Sequence, residues 1–198
     1  MPNWCNNVVE IAHKDPAKLK EVVDAFNRGE FCQYAIPVPD DLKIVAGRVG
    51  DDQDEAQKKL EEDTARNIAK HGYGNWYDFC VNEWGTKWDV GGDSCFDPAE
   101  LEEGQTNATL SFDSAWSPPT GVYEALVEQG FEVRGYYYEP GMAYCGVWDD
   151  GFDDYYEIGG QTWEDVKDEI PEALDEMFGI SDTMAEYESM REEEEADE

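Results

Sequence analysis

Carboxylates crowd the later part of this chain, and they limit which surfaces any fold of it can bury. Residues 1–75 contain 14 acids and 10 bases, whereas residues 76–198 contain 34 acids and 4 bases. Carboxylates are rarely buried unless they are paired, so most of these side chains must stay at the surface. The formal net charge of −34 repels nucleic acids and anionic membranes, whose binding depends on lysine and arginine. We therefore expect neither a direct nucleic-acid partner nor a membrane partner.

The rest of the composition predicts a folded domain. Of the 198 residues, 40% are hydrophobic and 13% are aromatic, which is too many for a disordered acidic chain. Length and composition together predict one domain over residues 1–181. Residues 182–198 hold nine acids and one base, and we expect them to form a disordered acidic tail.

Cysteine usage and the amino terminus indicate the compartment. The five cysteines are far apart and include no C-x-x-C pair, which is typical of proteins in a reducing environment. Residues 1–7 lack a basic region followed by an apolar run, and no stretch approaches the ~18 apolar residues of a membrane helix. These features predict a cytoplasmic protein.

Hydrophobic spacing predicts an α+β fold. Strands are predicted at residues 4–12, 76–84, 107–116 and 131–139. Helices begin near Pro16 and Pro118, and a helical insertion near residues 43–74 follows the first of them. Without the insertion the order is strand, helix, strand, strand, helix, strand. This order is that of a ferredoxin-like split β-α-β sandwich with its helices on one face of the sheet.

Residues 140–181 extend the predicted domain as an acidic C-terminal region. Extra strands are expected at residues 144–149 and 152–158, and the Asp150-Gly151 pair between them favours a type I′ hairpin turn. Two acidic helices are expected at residues 162–169 and 171–178, because Pro171 would interrupt a single helix.

Several segments of the first 140 residues resemble one known family. They are residues 1–7 (Met-Pro-Asn-Trp-Cys-Asn-Asn), 35–39 (Ala-Ile-Pro-Val-Pro), 75–78 (Asn-Trp-Tyr-Asp), 82–89 (Asn-Glu-Trp-Gly-Thr-Lys-Trp-Asp) and 112–119 (Phe-Asp-Ser-Ala-Trp-Ser-Pro-Pro). In these segments the chain is similar to the YubB family of phages and conjugative plasmids, although Glu83 stands between Asn82 and Trp84 of the Asn-Trp-Gly-Thr-Lys-Trp-Asp block. The resemblance implies a ferredoxin-like domain and a mobile-element protein that meets host machinery in the host-cell cytoplasm. It implies no catalytic residue.

A dense row of acids follows the predicted hairpin. Seven acids lie in the 13 residues from Glu164 to Glu176. At a helical rise of ~1.5 Å per residue this is ~20 Å, or ~3 Å per charge, and one DNA strand carries a phosphate about every 3.4 Å. Such a row would fit a protein with a basic nucleic-acid groove. The residues predicted to bind this partner are Asp149, Asp150, Asp153, Asp154, Glu157, Glu164, Asp165, Asp168, Glu169, Glu172, Asp175 and Glu176.

Other interpretations of these acids remain open. Solvated faces that keep a protein in solution have the same composition. Adaptation to high salt predicts an even spread of acids, which the near balance of residues 1–75 does not fit. Residues 149–154 offer carboxylates to Ca²⁺ or Mg²⁺, but a hairpin turn explains the same residues, so we predict no metal and no cofactor.

Aromatic residues favour contacts with protein over contacts with nucleic acid. A first block comprises Trp76, Tyr77, Phe79, Trp84 and Trp88. Base-stacking surfaces need basic surroundings, and only Lys87 is near, so we expect core packing or a hydrophobic anchor for a protein partner. The late strands carry Tyr136, Tyr137, Tyr138, Tyr144, Tyr155 and Tyr156. Strand alternation must expose some of them beside carboxylates, a composition typical of protein interfaces.

These features predict a binding protein without catalytic residues. It would be a phage- or plasmid-encoded DNA mimic of the anti-defence type, which inhibits or modulates a host nucleic-acid-binding protein. No glycine-rich phosphate loop and no ordered nucleophile and base are apparent. One alternative is a small metal-dependent enzyme that acts on nucleotides at the acidic hairpin. Another is a structural or assembly protein of the mobile element, and the oligomeric state is open.

Overall fold

A five-stranded antiparallel sheet forms the centre of the fold and confirms the predicted α+β class. The computed structural model describes residues 3–50, 54–92 and 98–196. The strands are β1 (Trp4–Ala12), β2 (Asn107–Ala115), β3 (Glu132–Glu139), β4 (Tyr144–Asp149) and β5 (Phe152–Glu157). Their order across the sheet is β2-β1-β3-β4-β5. The two strands added after the predicted core therefore extend one edge of the sheet.

Helices account for much of the remaining described chain. They are α1 (Pro16–Asn27), α2 (Phe31–Ala35), α3 (Asp54–His71), α4 (Trp76–Phe79), α5 (Thr120–Glu128), α6 (Trp163–Glu169), α7 (Glu172–Phe178) and α8 (Ile180–Ala196), with a 3₁₀ turn at Asp40–Leu42 and a π-helix at Cys80–Trp84. Helix α1 begins as predicted, because the Asp15 side chain accepts a hydrogen bond from the Ala17 N–H at 3.0 Å and Pro16 follows the cap. Within the described ranges no helix is both long and apolar enough to span a bilayer.

Strand β1 lies between two strands that a helix connects. It pairs antiparallel with β2 and with β3, so β2 and β3 run parallel to each other. Helix α5 provides the connection between them. Val9 sits opposite Leu110 on one side and Gly135 on the other, and this register places the apolar residues of three strands on one face.

The first hydrophobic core fills the space between that face and helices α1, α2 and α5. Val9 and Phe112 are fully buried there. Phe26 of α1 packs against Phe112 with ring centroids 5.8 Å apart, and Tyr123 of α5 packs against Trp148 of β4 at 5.4 Å. This core therefore reaches from β2 across the sheet to β4.

A second core lies on the opposite face, where the sequence predicted no helices. Tyr136 and Cys145 of β3 and β4 pack there against Val166, Leu174 and Ile180 of the last three helices. The prediction that all helices share one face is wrong, because β3 and β4 carry apolar side chains on both of their faces. Helices on both sides are needed to bury them.

The strand predicted at residues 76–84 is helical. The Asn75 carboxamide oxygen accepts from the backbone N–H groups of Tyr77 and Asp78 at 2.9 and 3.2 Å, which starts helix α4. The chain then continues as the π-helix. Its apolar residues, including Phe79 and Trp84, are buried in the first core as expected. The strand prediction for residues 76–84 is wrong because short apolar segments fit strands and buried helices equally well.

The acidic tail is also helical rather than disordered over its described part. Helix α8 starts at Ile180, inside the predicted domain, and continues to Ala196. The Asp175 carboxylate accepts from the Ser181 N–H at 2.7 Å and from the Ser181 hydroxyl at 2.6 Å, and it thereby fixes the first turn of α8 to α7. The Trp163 N–H donates to Glu188 at 3.2 Å, which ties α8 to α6 as well.

Candidate protein-binding surface

The predicted partner-binding acids lie on neighbouring elements. Five of them are on the β4–β5 hairpin and seven are on α6 and α7. Burial raises the pKa of Tyr156 on β5, and the negative charges of Asp154 and Glu169 raise it further. One tyrosine on the hairpin is therefore close to carboxylates from both regions. We call β5 with its turn, α6 and α7 the acidic layer.

Four of the twelve acids are held by groups of the same chain. Asp149 forms an ion pair with Arg134, with 2.5 Å between Nη2 and Oδ2. Asp153 accepts from the Tyr137 hydroxyl at 2.6 Å, and Asp165 accepts from the Thr162 hydroxyl at 2.8 Å. Asp175 caps α8 as described above. These carboxylates stabilise the layer itself and are less available to a partner.

The other eight predicted acids are exposed. Across the described part of the chain their carboxylates take part in no hydrogen bond or ion pair. They are Asp150, Asp154, Glu157, Glu164, Asp168, Glu169, Glu172 and Glu176. Removing eight carboxylates from water without counter-charges would cost free energy. Such a surface is therefore stable in contact with water or with a basic partner.

The acids of α6 and α7 do not form one straight row. Ile170 and Pro171 have extended backbone conformations with ψ of 153° and 134°, and they separate the two helices. The expected pitch of ~3 Å per charge over 20 Å assumed an unbroken helix, so it does not apply across this break. Within α6, Glu164 and Asp168 are four residues apart and share a face.

The hairpin turn matches its predicted type. Asp150 has φ of 47° and Gly151 has φ of 89°, the pair of positive values that a type I′ turn requires. In the described residues, no three His, Cys, Asp or Glu side chains are grouped so as to hold a metal ion. The geometry of residues 149–154 is thus explained by the turn.

A cluster of aromatic rings surrounds Lys87 on another part of the surface. The Lys87 ammonium lies 4.5 Å from the ring centroid of Trp88, 5.3 Å from that of Trp116 and 5.7 Å from that of Tyr77. Trp4 packs on Trp88 with centroids 6.0 Å apart. We call these five residues the aromatic–lysine cluster. Trp4, Trp88 and Trp116 are 46%, 39% and 38% exposed, so all three present ring surface to solvent.

Buried polar groups beneath the cluster fix its backbone. The hydroxyl of Thr86, a buried residue, donates to the Ala115 carbonyl at 3.0 Å, and the Ser117 hydroxyl donates to the Gly85 carbonyl at 2.5 Å. These bonds join the loop that carries Lys87 and Trp88 to Ala115 and Ser117, the residues on either side of Trp116. Because Thr86 is buried and Ser117 is half-buried, water competes little for these hydrogen bonds, and they hold the two segments in one arrangement.

Trp116 itself has an uncommon backbone conformation. Its φ is 71°, a left-handed value that costs a non-glycine residue about 1 kcal/mol or more. Its N–H donates to the Asn3 carbonyl at 2.9 Å, and its carbonyl accepts from the Tyr144 hydroxyl at 2.5 Å. The surrounding structure therefore stabilises the conformation that turns this indole toward Lys87.

The aromatic–lysine cluster reaches β5, the edge strand of the acidic layer. Tyr144, which holds Trp116, stacks on Tyr155 of β5 with centroids 5.2 Å apart. Tyr155 is 52% exposed, and strand alternation places it on the same face of β5 as Asp153 and Glu157. Aromatic and acidic surface thus meet along the β5 edge of the sheet.

The sequence indicates only part of this cluster. Tyr77 and Trp88 belong to the predicted aromatic block together with the buried Phe79 and Trp84, whereas Trp4 and Trp116 lie outside that block. Trp4 is the first residue of β1 and Trp116 directly follows β2, and polar residues or prolines lie near both. That position favours exposure and was the available signal, but the contact with Lys87 depends on tertiary structure.

Comparisons with known proteins assign no family to this chain. No family model matches it, and no curated protein matches it. Among solved structures it is similar to the crystal structure of the protein api92 from Yersinia pseudotuberculosis, which is described under the family model DUF1281. The match has 12% sequence identity and a TM-score of 0.39, and it covers 81% of this chain and 99% of api92. A likeness this weak carries no argument about function.

Proposed function

We propose that this chain is an acidic binding protein of a phage or plasmid that inhibits or modulates a host nucleic-acid-binding protein by occupying its basic groove. The observation that supports this most is the set of eight exposed carboxylates of the acidic layer that have no hydrogen-bond or ion-pair partner among the described residues. A basic groove would supply counter-charges to these eight carboxylates.

The layer is supported by packed side chains, which favours recognition of a fixed surface. Val166, Leu174 and Ile180 are buried in the second core, so α6, α7 and the start of α8 are anchored to the sheet. Carboxylates on anchored elements lose less conformational freedom on binding than those of a flexible tail. Such an array also steers a basic partner at long range, with a strong dependence on salt.

The proposal extends to compartment and ancestry. The four described cysteines, Cys5, Cys32, Cys80 and Cys145, are buried and unpaired, which fits the reducing host cytoplasm. The arrangement of β2, α5 and β3 around β1 supports a ferredoxin-like relationship. The helical segment at residues 76–84 departs from that pattern.

Matched variants test the proposed function. The layer variant neutralises four exposed acids by Glu164→Gln, Asp168→Asn, Glu169→Gln and Glu172→Gln. The control variant neutralises four exposed acids elsewhere by Glu62→Gln, Glu124→Gln, Glu128→Gln and Glu132→Gln, so both have a formal charge of −30 instead of −34. Each protein is immobilised and offered the bacterial proteins that bind double-stranded DNA on DNA-cellulose, at low salt.

The proposal predicts that the native chain and the control variant retain the same DNA-binding protein, which elutes as salt rises. The layer variant should retain at least about tenfold less of it, because four of the eight exposed acids of the acidic layer are neutralised. Equal retention by all three proteins would contradict the proposal. Equal loss in both variants would show that net charge alone, and not the acidic layer, governs retention.

A further inference from the structure

We propose that the aromatic–lysine cluster is the apolar anchor of the same interface, and that it docks into an apolar pocket of the partner that is bordered by lysine and arginine. The inference rests on the proposed function, because it assigns the centre of the interface for which the acidic layer is the charged rim. The two surfaces meet at β5: Tyr144 and Tyr155 link the cluster to one face of this edge strand, and α6 and α7 pack on the other face of the sheet.

The exposure of the cluster supports a binding role. Three tryptophans within one patch leave 38% to 46% of their surface in solvent. Tryptophan and tyrosine dominate the residues that contribute most to protein interfaces, where they lie at the centre and are surrounded by polar groups. Trp88 and Trp116 at the centre, with Asp153 and Glu157 toward one side, follow that arrangement.

The cluster is also ordered before any partner arrives. Lys87 lies within 5.7 Å of three ring centroids, and this cation–π contact restricts the rings. The hydrogen bonds of Thr86 and Ser117 fix the backbone below it. Rigid aromatic side chains lose little entropy when they are covered, so the affinity gained per ring is large.

Charge selects the kind of partner. Exposed rings beside a lysine also resemble a platform on which single-stranded bases stack, but such platforms lie in basic grooves. Here the neighbouring edge carries Asp153 and Glu157, and the whole chain carries a net charge of −34. A second copy of the chain would bring an equally acidic surface to the same place. A protein with basic residues around an apolar pocket is therefore the occupant that fits.

The test separates the apolar anchor from the acidic rim by salt dependence. The cluster variant combines Trp88→Ala with Trp116→Asn, since asparagine tolerates a positive φ. Tyr187→Ala, at a tyrosine 69% exposed on α8, is the matched control. Dissociation constants for the retained DNA-binding protein, identified by mass spectrometry, are measured from 50 to 300 mM NaCl for these proteins and for the layer variant. Circular dichroism confirms that each variant is folded.

We expect the cluster variant to bind at least about tenfold more weakly at every salt concentration with an unchanged salt slope, and Tyr187→Ala to bind like the native chain. The layer variant should show a smaller salt slope. Lys87→Met, which keeps the side-chain stem, should weaken binding severalfold. A benzophenone side chain at position 88 should crosslink to the same retained protein, and one at position 187 should not.

Several results would overturn the inference. If the cluster variant binds like the native chain, the anchor lies elsewhere, while the proposed function stands whenever the layer variant is impaired. If only the cluster variant is impaired, the inference stands and the proposed function fails. Saturable quenching of tryptophan fluorescence by a dT20 oligonucleotide would assign the rings to nucleic acid. A native dimer in sedimentation that dissociates on Trp88→Ala would assign them to a second copy.

Discussion

At the scale of single residues, burial determines the chemistry of the described cysteines. Burial raises the pKa of the Cys5, Cys80 and Cys145 thiols to about 12 from an ordinary value of 9.0, and that of Cys32 well above 9.0. These thiols are protonated at neutral pH and act as small apolar side chains in the interior of the fold. Cys95 lies outside the described residues.

The raised thiol pKa values predict a loss of stability in alkali. In the unfolded chain the thiols ionise around pH 9, whereas the folded chain keeps them protonated until about pH 12. Their contribution to stability is thus fully present below pH 9 and is lost as pH rises toward 12. We expect the urea midpoint to fall between pH 8 and pH 10.5, and to fall less steeply in Cys145→Ala. A midpoint that is constant over this range would contradict the burial of these groups.

The buried carboxamide of Asn7 gives a second test at this scale. Its Nδ2 donates to the Cys5 carbonyl at 2.7 Å and to the Ser114 hydroxyl at 2.8 Å. Asn7→Asp replaces this donor with a carboxylate that faces the same oxygens, so we expect a loss of about 3 kcal/mol or more in the free energy of unfolding. Asn107→Asp, which adds the same charge at an exposed position, should change stability by less than about 0.5 kcal/mol. Comparable losses in chemical denaturation would show that Asn7 is not desolvated.

Among the secondary-structure elements, the sequence predicts best those with a long periodic pattern of apolar residues or with a specific turn signal. Helix α3 lies within the helical insertion predicted near residues 43–74, and Asp150-Gly151 forms the predicted turn. The strand prediction for Trp76–Trp84 is wrong because nine mostly apolar residues fit the spacing of a buried helix as well as that of a strand. Helix α8 was misread because its composition is that of a solvated chain, and its order depends on tertiary contacts such as that between Asp175 and Ser181.

The contact between α5 and the π-helix yields a prediction at this scale. A Cβ on Gly121 would lie 2.0 Å from the Glu83 carbonyl oxygen, which is backbone and has little room to move. Gly121→Ala should therefore destabilise the fold by about 3 kcal/mol, the upper part of the range for overpacking. Gly50→Ala, where a Cβ meets nothing within 4 Å, should be nearly neutral. Similar thermal midpoints for the two variants would mean that α5 does not pack here as described.

At the scale of the whole molecule, charge repulsion acts against the fold. A net charge of −34 on 198 residues favours expansion, and salt screens this repulsion over distances of about 10 Å at 0.1 M. We expect the melting temperature to rise by several degrees between 20 and 500 mM NaCl, and the layer variant to start from a higher value at 20 mM. A melting temperature that falls with salt would show that attractive pairs outweigh the repulsion.

The sequence predicts the acidic part of the candidate surface but not its aromatic part. The excess of acids after residue 75 predicts an acidic surface in this part of the chain, because charges can be counted without knowledge of the fold. The aromatic–lysine cluster joins residues near positions 4, 77, 87 and 116, and only the pairing of β1 with β2 and the loop before β2 bring them together. Four of the twelve predicted acids bind groups of the same chain. A count of charges does not reveal such partners, of which Arg134 is one.

Competition with DNA shows whether the chain occupies the basic groove of its partner. The host protein retained by this chain is bound to a fluorescent 30-base-pair duplex, and fluorescence anisotropy is followed as the chain is added. Occupation of the basic groove predicts that the duplex is released completely at saturation, and that the layer variant needs at least about tenfold more protein to release it. A duplex that remains bound while the chain is also bound, in one ternary complex, would contradict the account.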